Sequence, residues 1–577
     1  MVVIRGIFYA FLASLAVILL ASIFVPDSVF ASFLKAEMAP IMFFSLVVFL
    51  LLGYPVAFSL AALGLLYGIV GIELGLFKPS FFQALPNRLF GIIENDTLLA
   101  IPFFTFMGLI LERSGMAEDL LETIGQLFGP VRGGLAFAVI FVGALLAATT
   151  GVVAASVISM GLISLPIMLR YGYDRRLATG VIAASGTLAQ IIPPSLVLIV
   201  MADQIGRSVG DMYKGAILPG LVLTALYAGY VLGRTIFSPQ RAPALPPEAR
   251  TIKEDDGSAG YASLAAIVGA CIFGAWALSA SLDWEPIWST AFVGLVAYAL
   301  AMANRHLKLG ILSRLGEQVV IVMMPPLALI FLVLGTIFIG LATPTEGGAM
   351  GATGALALAL SYRRLSWNML KQAMDSTAKL TSFVIFILVG ARVFSLTFYG
   401  VNGDLWVEHL LLALPGGQIG FLIVVNILVF LLAFFLDFFE LAFIIIPLLV
   451  KPAEALGIDL IWFGVLLGIN MQTSFMHPPF GFALFYLRSV APEGKYIDKV
   501  TGKEMDGVTT AEIYWGAVPF VVIQCIMVAI VIAFPGLVTA GLDKDLKIDP
   551  SKVKIELQAP PQYDNAPPVF GAPPPRN

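Results

Sequence analysis

Two short stretches of the sequence place a pair of prolines shortly after small polar residues. The first is Ser185-Gly186-Thr187 before Pro193-Pro194, and the second is Asn470-Met471-Gln472-Thr473-Ser474 before Pro478-Pro479. Each proline pair removes two amide donors, so carbonyls one turn earlier lose their hydrogen-bond partners. Freed carbonyls and neutral side-chain oxygens suit a sodium ion better than zinc. One such motif alone would be typical of a packed proline kink, but two of them predict cation binding.

Two long apolar runs are interrupted by polar residues. The run over residues 133–169 is broken at Thr149-Thr150-Gly151, and the run over residues 418–452 is broken at Asp437-Phe438-Phe439-Glu440. Each piece is short for a membrane crossing, which needs about 20 apolar residues. Each pair of pieces therefore matches a re-entrant hairpin that enters and leaves on the same side. The alternative is two ordinary spans, each with a polar kink.

Ionisable residues inside apolar runs are costly to bury and are therefore functional candidates. Asp437 and Glu440 are three residues apart, on one helical face near the tip of the second predicted hairpin. Arg392 interrupts another apolar run, and it could pair with a substrate carboxylate or with one of these acids. Glu346 lies at a predicted helix start, where the helix dipole favours a carboxylate, so we expect a structural role for it.

These residues and their neighbours in the same breaks form the predicted site. The candidate sodium ligands are Thr150, Gly151, Gly186, Thr187, Asp437, Asn470, Gln472, Thr473 and Ser474. The candidate substrate-binding residues are Ser156, Pro193, Pro194, Ser195, Arg392, His477, Pro478 and Pro479. We expect no catalytic residue, no metal other than sodium and no cofactor.

The composition places these residues in a membrane. Of 577 residues, 59% are hydrophobic and only 12% are charged, whereas soluble proteins carry roughly 25% charged residues. The net charge of −4 offers no broad basic surface for nucleic acid. Three scattered histidines and two cysteines in apolar runs exclude a zinc, haem or disulfide framework. The chain also lacks a P-loop, so it carries no ATPase of its own.

Apolar runs of membrane-spanning length predict thirteen crossings in an all-α polytopic membrane protein. They lie near residues 7–25, 30–52, 55–72, 97–111, 174–206, 215–236, 261–281, 286–303, 317–341, 344–362, 380–399, 460–490 and 510–534. With the two interrupted runs treated as re-entrant, most Arg and Lys residues fall on one side. The positive-inside rule then places the N-terminus in the cytoplasm.

The sequence also repeats itself at a spacing of about 280–300 residues. Four pairs of landmarks recur in the same order, and under the predicted topology the two hairpins open to opposite sides. Inverted repeats with broken helices are typical of secondary transporters. The predicted segments are an extra N-terminal transmembrane helix over 1–29, a first inverted repeat over 30–237 with its hairpin at 133–169, a cytoplasmic linker over 238–260, an inserted helix pair over 261–303, a second inverted repeat over 304–538 with its hairpin at 418–452, and a Pro-rich polar tail over 539–577.

Several motifs resemble those of one transporter family. The run ATGVIAASGTLAQIIPPSL over residues 178–196, LATPTE over 341–346, AIPFF over 100–104 and the stretch from Gln472 to Gly481 are similar to motifs of the large membrane subunit of tripartite ATP-independent periplasmic (TRAP) transporters. The resemblance extends from about Ala39 to Val538. Two positions depart from it: valines follow Gly151 where many relatives carry serines, and His477 stands where a threonine is more usual.

Membership of this family would imply an elevator-type secondary transporter in the bacterial inner membrane. Its cargo would be a small carboxylate, with a keto- or hydroxy-acid favoured by the sequence after Gln472, and sodium rather than ATP would drive uptake. The implied partners are a periplasmic substrate-binding protein and a small four-helix membrane subunit, within the lipid bilayer.

Three alternatives differ in class. A single-component sodium/dicarboxylate symporter shares the inverted hairpin architecture, and independence from a binding protein would distinguish it. A membrane-embedded enzyme such as a lipid-modifying transferase needs clustered Asp, His or Cys at an interface, which the sequence lacks. A purely structural scaffold does not explain polar breaks that recur at matching places.

Overall fold

The computed structural model describes residues 27–542, apart from residues 152, 255–259, 283, 285, 435, 480 and 499. The predicted N-terminal helix near 7–25 and most of the polar tail lie outside the described residues. Over the described part the fold is all-α, apart from one short β-hairpin, and the predicted fold class of a polytopic membrane protein is confirmed.

The helices of the first half, in chain order, are α1 Asp27–Leu51, α2 Val56–Glu73, α3 Leu85–Ile93, α4 Ala100–Arg113, α5 Met116–Phe128, α6 Gly134–Thr150, α7 Val153–Arg170, α8 Arg175–Thr187, α9 Leu196–Ile205 and α10 Val209–Phe237. Two helices follow the linker: α11 Tyr261–Leu282 and α12 Pro286–Leu307. The helices of the second half are α13 Arg314–Phe338, α14 Pro344–Ser361, α15 Trp367–Gly400, α16 Gly403–Leu412, α17 Gly417–Leu432, α18 Phe438–Glu440, α19 Ile446–Ala455, α20 Leu460–Gln472, α21 Phe482–Val490, α22 Thr510–Ala533 and α23 Gly536–Thr539. A π turn over Leu441–Ile445 joins α18 to α19, and strands β1 Tyr496–Ile497 and β2 Glu504–Met505 pair antiparallel between α21 and α22.

The crossing prediction is only partly right. Nine described helices are long and apolar enough to span a membrane, or up to eleven if each of two bent helix pairs counts as one span. The segments 174–206 and 460–490 are not continuous helices: each is split into two short helices by a 3₁₀ turn and a proline pair. Proline pairs cannot continue the amide ladder, which explains the breaks.

Hydropathy missed the amphipathic elements. The short helices α3 and α5 have polar faces, and the N-terminal part of α15 extends the predicted crossing at 380–399 by about three and a half turns. A search for about 20 uninterrupted apolar residues cannot detect such helices, because their polar residues lower the average hydropathy of the window.

The two halves share the same local structure 285 residues apart. Asp174 caps α8 by accepting the Leu177 amide, and Asp459 caps α20 by accepting the Trp462 amide. Both helices end in a 3₁₀ turn, over Leu188–Gln190 and over Thr473–Phe475, before the proline pair. Both Pro-Pro peptide bonds are cis.

Helix contacts between the halves are reciprocal. α2 packs on α15 as α14 packs on α4, and α8 packs on α22 as α20 packs on α10. Likewise, α21 contacts α7, while its counterpart α9 contacts α19. Reciprocal contacts of this kind are what two repeats related by a two-fold axis would make. The orientation of the repeats relative to the membrane stays a prediction.

The tightest of these crossings depends on glycine. Gly180 of α8 and Gly516 of α22 face each other so closely that a Cβ on Gly180 would overlap the Gly516 carbonyl. A Cβ on Gly516 would in turn overlap the backbone of Arg176. Small residues at crossing points let helix backbones approach, which is how helices associate where lipid removes the hydrophobic driving force.

The Pro-rich linker lies against the base of the first hairpin. Gly133 and Asp174 donate their amides to the carbonyls of Ala242 and Arg241, both at 2.9 Å, and Leu245 donates to the Gly129 carbonyl at 2.8 Å. The β-hairpin adds an ion pair at the end of α7, where the Arg170 guanidinium contacts the Asp498 carboxylate at 2.8 Å. Linker and β-hairpin therefore both fix the base of this hairpin.

Candidate functional site

The two broken helices meet at equivalent residues. The Gln472 amide nitrogen donates to the Thr187 hydroxyl at 3.1 Å, and both side chains are fully buried. Thr187 and Gln472 are the last residues of α8 and α20, and they too are 285 residues apart. A contact between equivalent positions lies on the axis that relates two repeats, so the breaks converge at one place in the core.

In the first break, the residues after the proline pair restart the helix. The Ser195 hydroxyl donates to the Gln190 carbonyl and also accepts the Leu198 amide, so that it caps α9. The Tyr213 hydroxyl donates to the Ser195 carbonyl at 3.4 Å. Both prolines of the pair are buried. These bonds satisfy part of the backbone that the break exposes.

The second break is built in a similar way but is more open. The Asn470 side-chain amide donates to the carbonyl and side-chain oxygens of Asn426 on α17, at 2.8 and 3.0 Å. The Thr473 hydroxyl donates back to the Asn470 carbonyl at 2.6 Å. The Tyr514 hydroxyl donates to the Pro479 carbonyl at 3.3 Å, and Pro479 itself is exposed.

Each predicted hairpin ends close to one of the breaks. Gly151 adopts a left-handed conformation (φ +58°) at the end of α6, and a Cβ built there would lie 3.5 Å from the Pro194 carbonyl oxygen. The Thr150 side chain lies outside the described part of the structure. Gly186 packs against Val157 of α7, leaving no room for a side chain, and Ser156 is buried on the same helix.

Six buried polar atoms without hydrogen-bond partners lie at the two breaks, out of fifteen in the described residues. These six are Ser185 Oγ, Gln190 Oε1, Gln472 Oε1, Ser474 Oγ and both ring nitrogens of His477. A buried polar atom left unpaired costs about 1–3 kcal/mol, so such a cluster calls for an explanation. Four of the six atoms are oxygens, which is the ligand type that hard cations prefer.

The acids at the second hairpin tip bond to each other's backbone. The Asp437 carboxylate accepts the Glu440 amide at 3.0 Å, and the Glu440 carboxylate accepts the Asp437 amide at 3.0 Å. This capping box begins the second arm of the hairpin at α18. Among the described residues Arg392 forms no ion pair with an acid, so of its two possible partners only a substrate carboxylate stays a prediction. Glu346 completes the capping box of α14, as predicted.

Comparison with known protein families gives one match over most of the chain. Residues 43–537 match the family described as "Tripartite ATP-independent periplasmic transporter, DctM component". The chain belongs to this family. The predicted recognition as a TRAP transporter large permease subunit is therefore confirmed, and the family is one of multi-pass membrane transporters.

Individual relatives are similar over most of their length. The C4-dicarboxylate TRAP transporter large permease protein DctM of Pseudomonas aeruginosa is 29% identical, over 72% of this chain and 82% of that protein. The 2,3-diketo-L-gulonate TRAP transporter large permease protein YiaN of Escherichia coli is 24% identical, over 78% and 89%. Among solved structures, the YdaH transporter of Alcanivorax borkumensis matches with a TM-score of 0.47 at 14% identity, over 79% and 88%.

Several residues at the site were missed from sequence. Gln190, Asn426, Phe430 and Phe434 were not predicted, although all four lie at or beside the breaks. Gln190 follows the polar stretch of the first break by three residues, and this proximity could have identified it. Nothing in the sequence marks Asn426 or the two phenylalanines, which reach the second break only through tertiary packing.

Proposed function

We propose that this TRAP permease subunit couples the sodium gradient to uptake of a small carboxylate. A periplasmic binding protein delivers the cargo, a small four-helix membrane subunit completes the complex, and the domain of hairpins and broken helices moves as an elevator in the inner membrane. The N-terminus is cytoplasmic in this proposal.

The observation that carries this proposal is the cluster of unpartnered oxygens at the two breaks. Gln472 Oε1 and Ser474 Oγ belong to the second break, and Ser185 Oγ and Gln190 Oε1 to the first. The bond between Gln472 and Thr187 brings the two breaks together. Neutral oxygens in a dry, protein-lined setting suit a monovalent cation, which loses its hydration shell at lower cost than a divalent ion.

The acids beside the second break support cation binding. Asp437 and Glu440 hold two carboxylates within one capping box in an apolar surrounding. Two such charges repel each other and are costly in the membrane, by at least about 2.5–3.5 kcal/mol for one of them on insertion scales. A nearby cation would offset both terms.

The carboxylate cargo is supported by the relatives. The P. aeruginosa protein is a C4-dicarboxylate permease and the E. coli protein a 2,3-diketo-L-gulonate permease by name. In this chain, Arg392 is a half-buried cation with no acidic partner among the described residues, and it is free to pair with an anionic cargo. His477, Ser195 and the two proline pairs lie at the breaks, where the predicted cargo would meet the sodium site.

The test is uptake into proteoliposomes that contain all three components. An inward sodium gradient should suffice without ATP, and replacing sodium with potassium should abolish uptake. Gln472→Leu should raise the sodium concentration for half-maximal uptake about tenfold, as expected for losing about 1.4 kcal/mol of binding. Thr123→Val is the control, because Thr123 is equally buried and also has an unpartnered side-chain oxygen but lies on α5, outside both breaks.

Three results would contradict parts of this proposal. Uptake unchanged in potassium would refute sodium coupling. An equal effect of Gln472→Leu and Thr123→Val would mean that Gln472 is not a sodium ligand. Full uptake without the binding protein would favour the single-component symporter.

A further inference from the structure

His477 is a buried imidazole clamped between two phenylalanines. The ring centroid lies 4.2 Å from that of Phe434, with the planes 17° apart, and 4.2 Å from that of Phe430, with the planes 70° apart. The side chain is 1% exposed, and neither ring nitrogen has a hydrogen-bond partner. The clamp fixes the plane of the ring, so the directions of both nitrogens are fixed as well.

The position of this imidazole connects it to the site. His477 directly precedes the second proline pair, and Ser474, one turn earlier, has an unpartnered hydroxyl. Phe430 and Phe434 come from the end of the first arm of the second hairpin, shortly before Asp437. The ring therefore lies where the hairpin meets the break, and the phenyl rings limit access of water to it.

The chemistry of a neutral imidazole defines what it can bind. One nitrogen donates a hydrogen bond and the other accepts one. A carboxylate or a ketone only accepts, so either would leave the acceptor nitrogen unpaired. A methylene group does neither. A hydroxyl group can donate to that acceptor nitrogen, which none of the other three groups can do.

We propose that His477 recognises a hydroxyl group beside the carboxylate of the cargo, so that the permease selects hydroxycarboxylates over the corresponding carboxylates without the hydroxyl. This inference rests on the proposed function, which it narrows to a substrate class. Phe430 and Phe434 are positioning residues, because they hold the ring without contributing a polar atom. A site with buried polar groups discriminates against an analogue that cannot pair with them.

Pairs of acids that differ by one hydroxyl test this proposal. The purified full-length chain, in detergent with sodium, is titrated with lactate and propionate and with malate and succinate, and binding is measured as a rise in melting temperature. Wild type should bind the hydroxy acid of at least one pair about tenfold more tightly, the effect of one neutral hydrogen bond. In His477→Phe the two members of that pair should bind within about twofold of each other, while the acid without the hydroxyl keeps its wild-type affinity.

A second readout separates recognition from a structural role. Without ligand, His477→Phe should melt at or above the wild-type temperature, because it removes two unpaired buried nitrogens and keeps an aromatic ring in the clamp. His306→Phe, at an exposed histidine on α12, should leave both the preference and the melting temperature unchanged. If His477→Phe does not fold, His477→Met fills the same space with a flexible apolar chain and gives the same test.

The possible outcomes test the role of His477 separately from the proposed function. A hydroxyl preference that persists in His477→Phe, or that wild type lacks although the acids bind, overturns the inference and leaves the proposed function standing. If none of the four acids binds to folded wild type, the inference is overturned, and uptake with all three components decides separately on the proposed function. Loss of the preference in His477→Phe alone supports the assignment.

Discussion

The carboxylate of Asp437 has two possible roles that one pair of substitutions can separate. It caps the second arm of the hairpin by accepting the Glu440 amide at 3.0 Å, and it is a predicted sodium ligand. Asparagine caps a helix about as well as aspartate, whereas alanine forfeits about 0.5–2 kcal/mol. Asp437→Asn therefore preserves the cap and removes the charge, and Asp437→Ala removes both.

The magnitudes differ enough to be distinguished. Loss of the cap, at most about 2 kcal/mol, should lower the melting temperature of Asp437→Ala by only a few degrees. One kcal/mol shifts a domain of 150–250 residues by roughly 2–4 °C, and it shifts a longer chain by less. A sodium ion about 4 Å from the carboxylate would gain roughly 4 kcal/mol at an effective dielectric constant of 20. Even a third of that energy corresponds to an approximately tenfold change in sodium affinity.

We expect Asp437→Asn to reach the membrane with a wild-type melting temperature and to need at least about tenfold more sodium for half-maximal uptake. The assay is sodium-dependent uptake in proteoliposomes, with protein amounts matched by quantitative immunoblot. Wild-type sodium dependence in a well-folded Asp437→Asn protein would refute the sodium role and leave the cap as the only function. A strong loss of expression in Asp437→Asn would contradict the cap argument instead.

Two further predictions concern the frame that holds the site. Gly180→Val should prevent the close crossing of α8 and α22, because its side chain would overlap the Gly516 carbonyl. The detergent-purified variant should therefore melt at a lower temperature than wild type or aggregate. Gly229→Val, at a glycine with open space around it, should melt like wild type. Hydrogen bonds from Arg170 and from Thr501 hold the pKa of Asp498 well below its usual range. Asp498→Asn should therefore cost about 1.5–3 kcal/mol at pH 7. A depressed pKa stabilises the fold at pH values above the unfolded-state pKa near 3.9, and this stabilisation is lost as the pH falls. The difference in free energy of unfolding between Asp498→Asn and wild type should therefore narrow below about pH 5. A difference that does not change with pH would contradict the ion-pair argument.

The sequence predicts the class of the fold well because lipid imposes a simple rule on it. Long apolar runs and proline pairs are visible without any structure, and the breaks after Thr187 and Gln472 appear where the prolines require them. The capping residues Asp174 and Asp459 are equally local features, each followed by its helix. Such patterns do not predict how deep or how tilted each helix lies in the membrane, or which helices pack against it.

The site is less predictable because its contacts join distant parts of the chain. The bond from Gln472 to Thr187 and the contact of Asn470 with Asn426 follow from packing of the halves, not from any local pattern. The same holds for the linker, whose proline-rich and charged composition predicts only a connection between the repeats but which lies along the first hairpin. Its carbonyls at Arg241 and Ala242 accept amides that would otherwise be unpaired.

Because the two halves share the same local structure, residues that differ between equivalent positions can be compared directly. At the spacing of 285 residues that relates Thr187 to Gln472, the positions equivalent to Asp437, Glu440 and His477 are Val152, Ala155 and Ile192. The neutral oxygens of the breaks are thus present in both halves, whereas the charged and imidazole groups occur only in the second. A cation held by backbone and amide oxygens can use both halves, but a cargo recognised by His477 can bind only at the second break. The second break is also the more open one, since Pro479 is exposed while Pro193 and Pro194 are buried. The two-fold arrangement therefore builds the place where the broken helices meet. On the proposed function, the residues that occur only in the second half select what binds there.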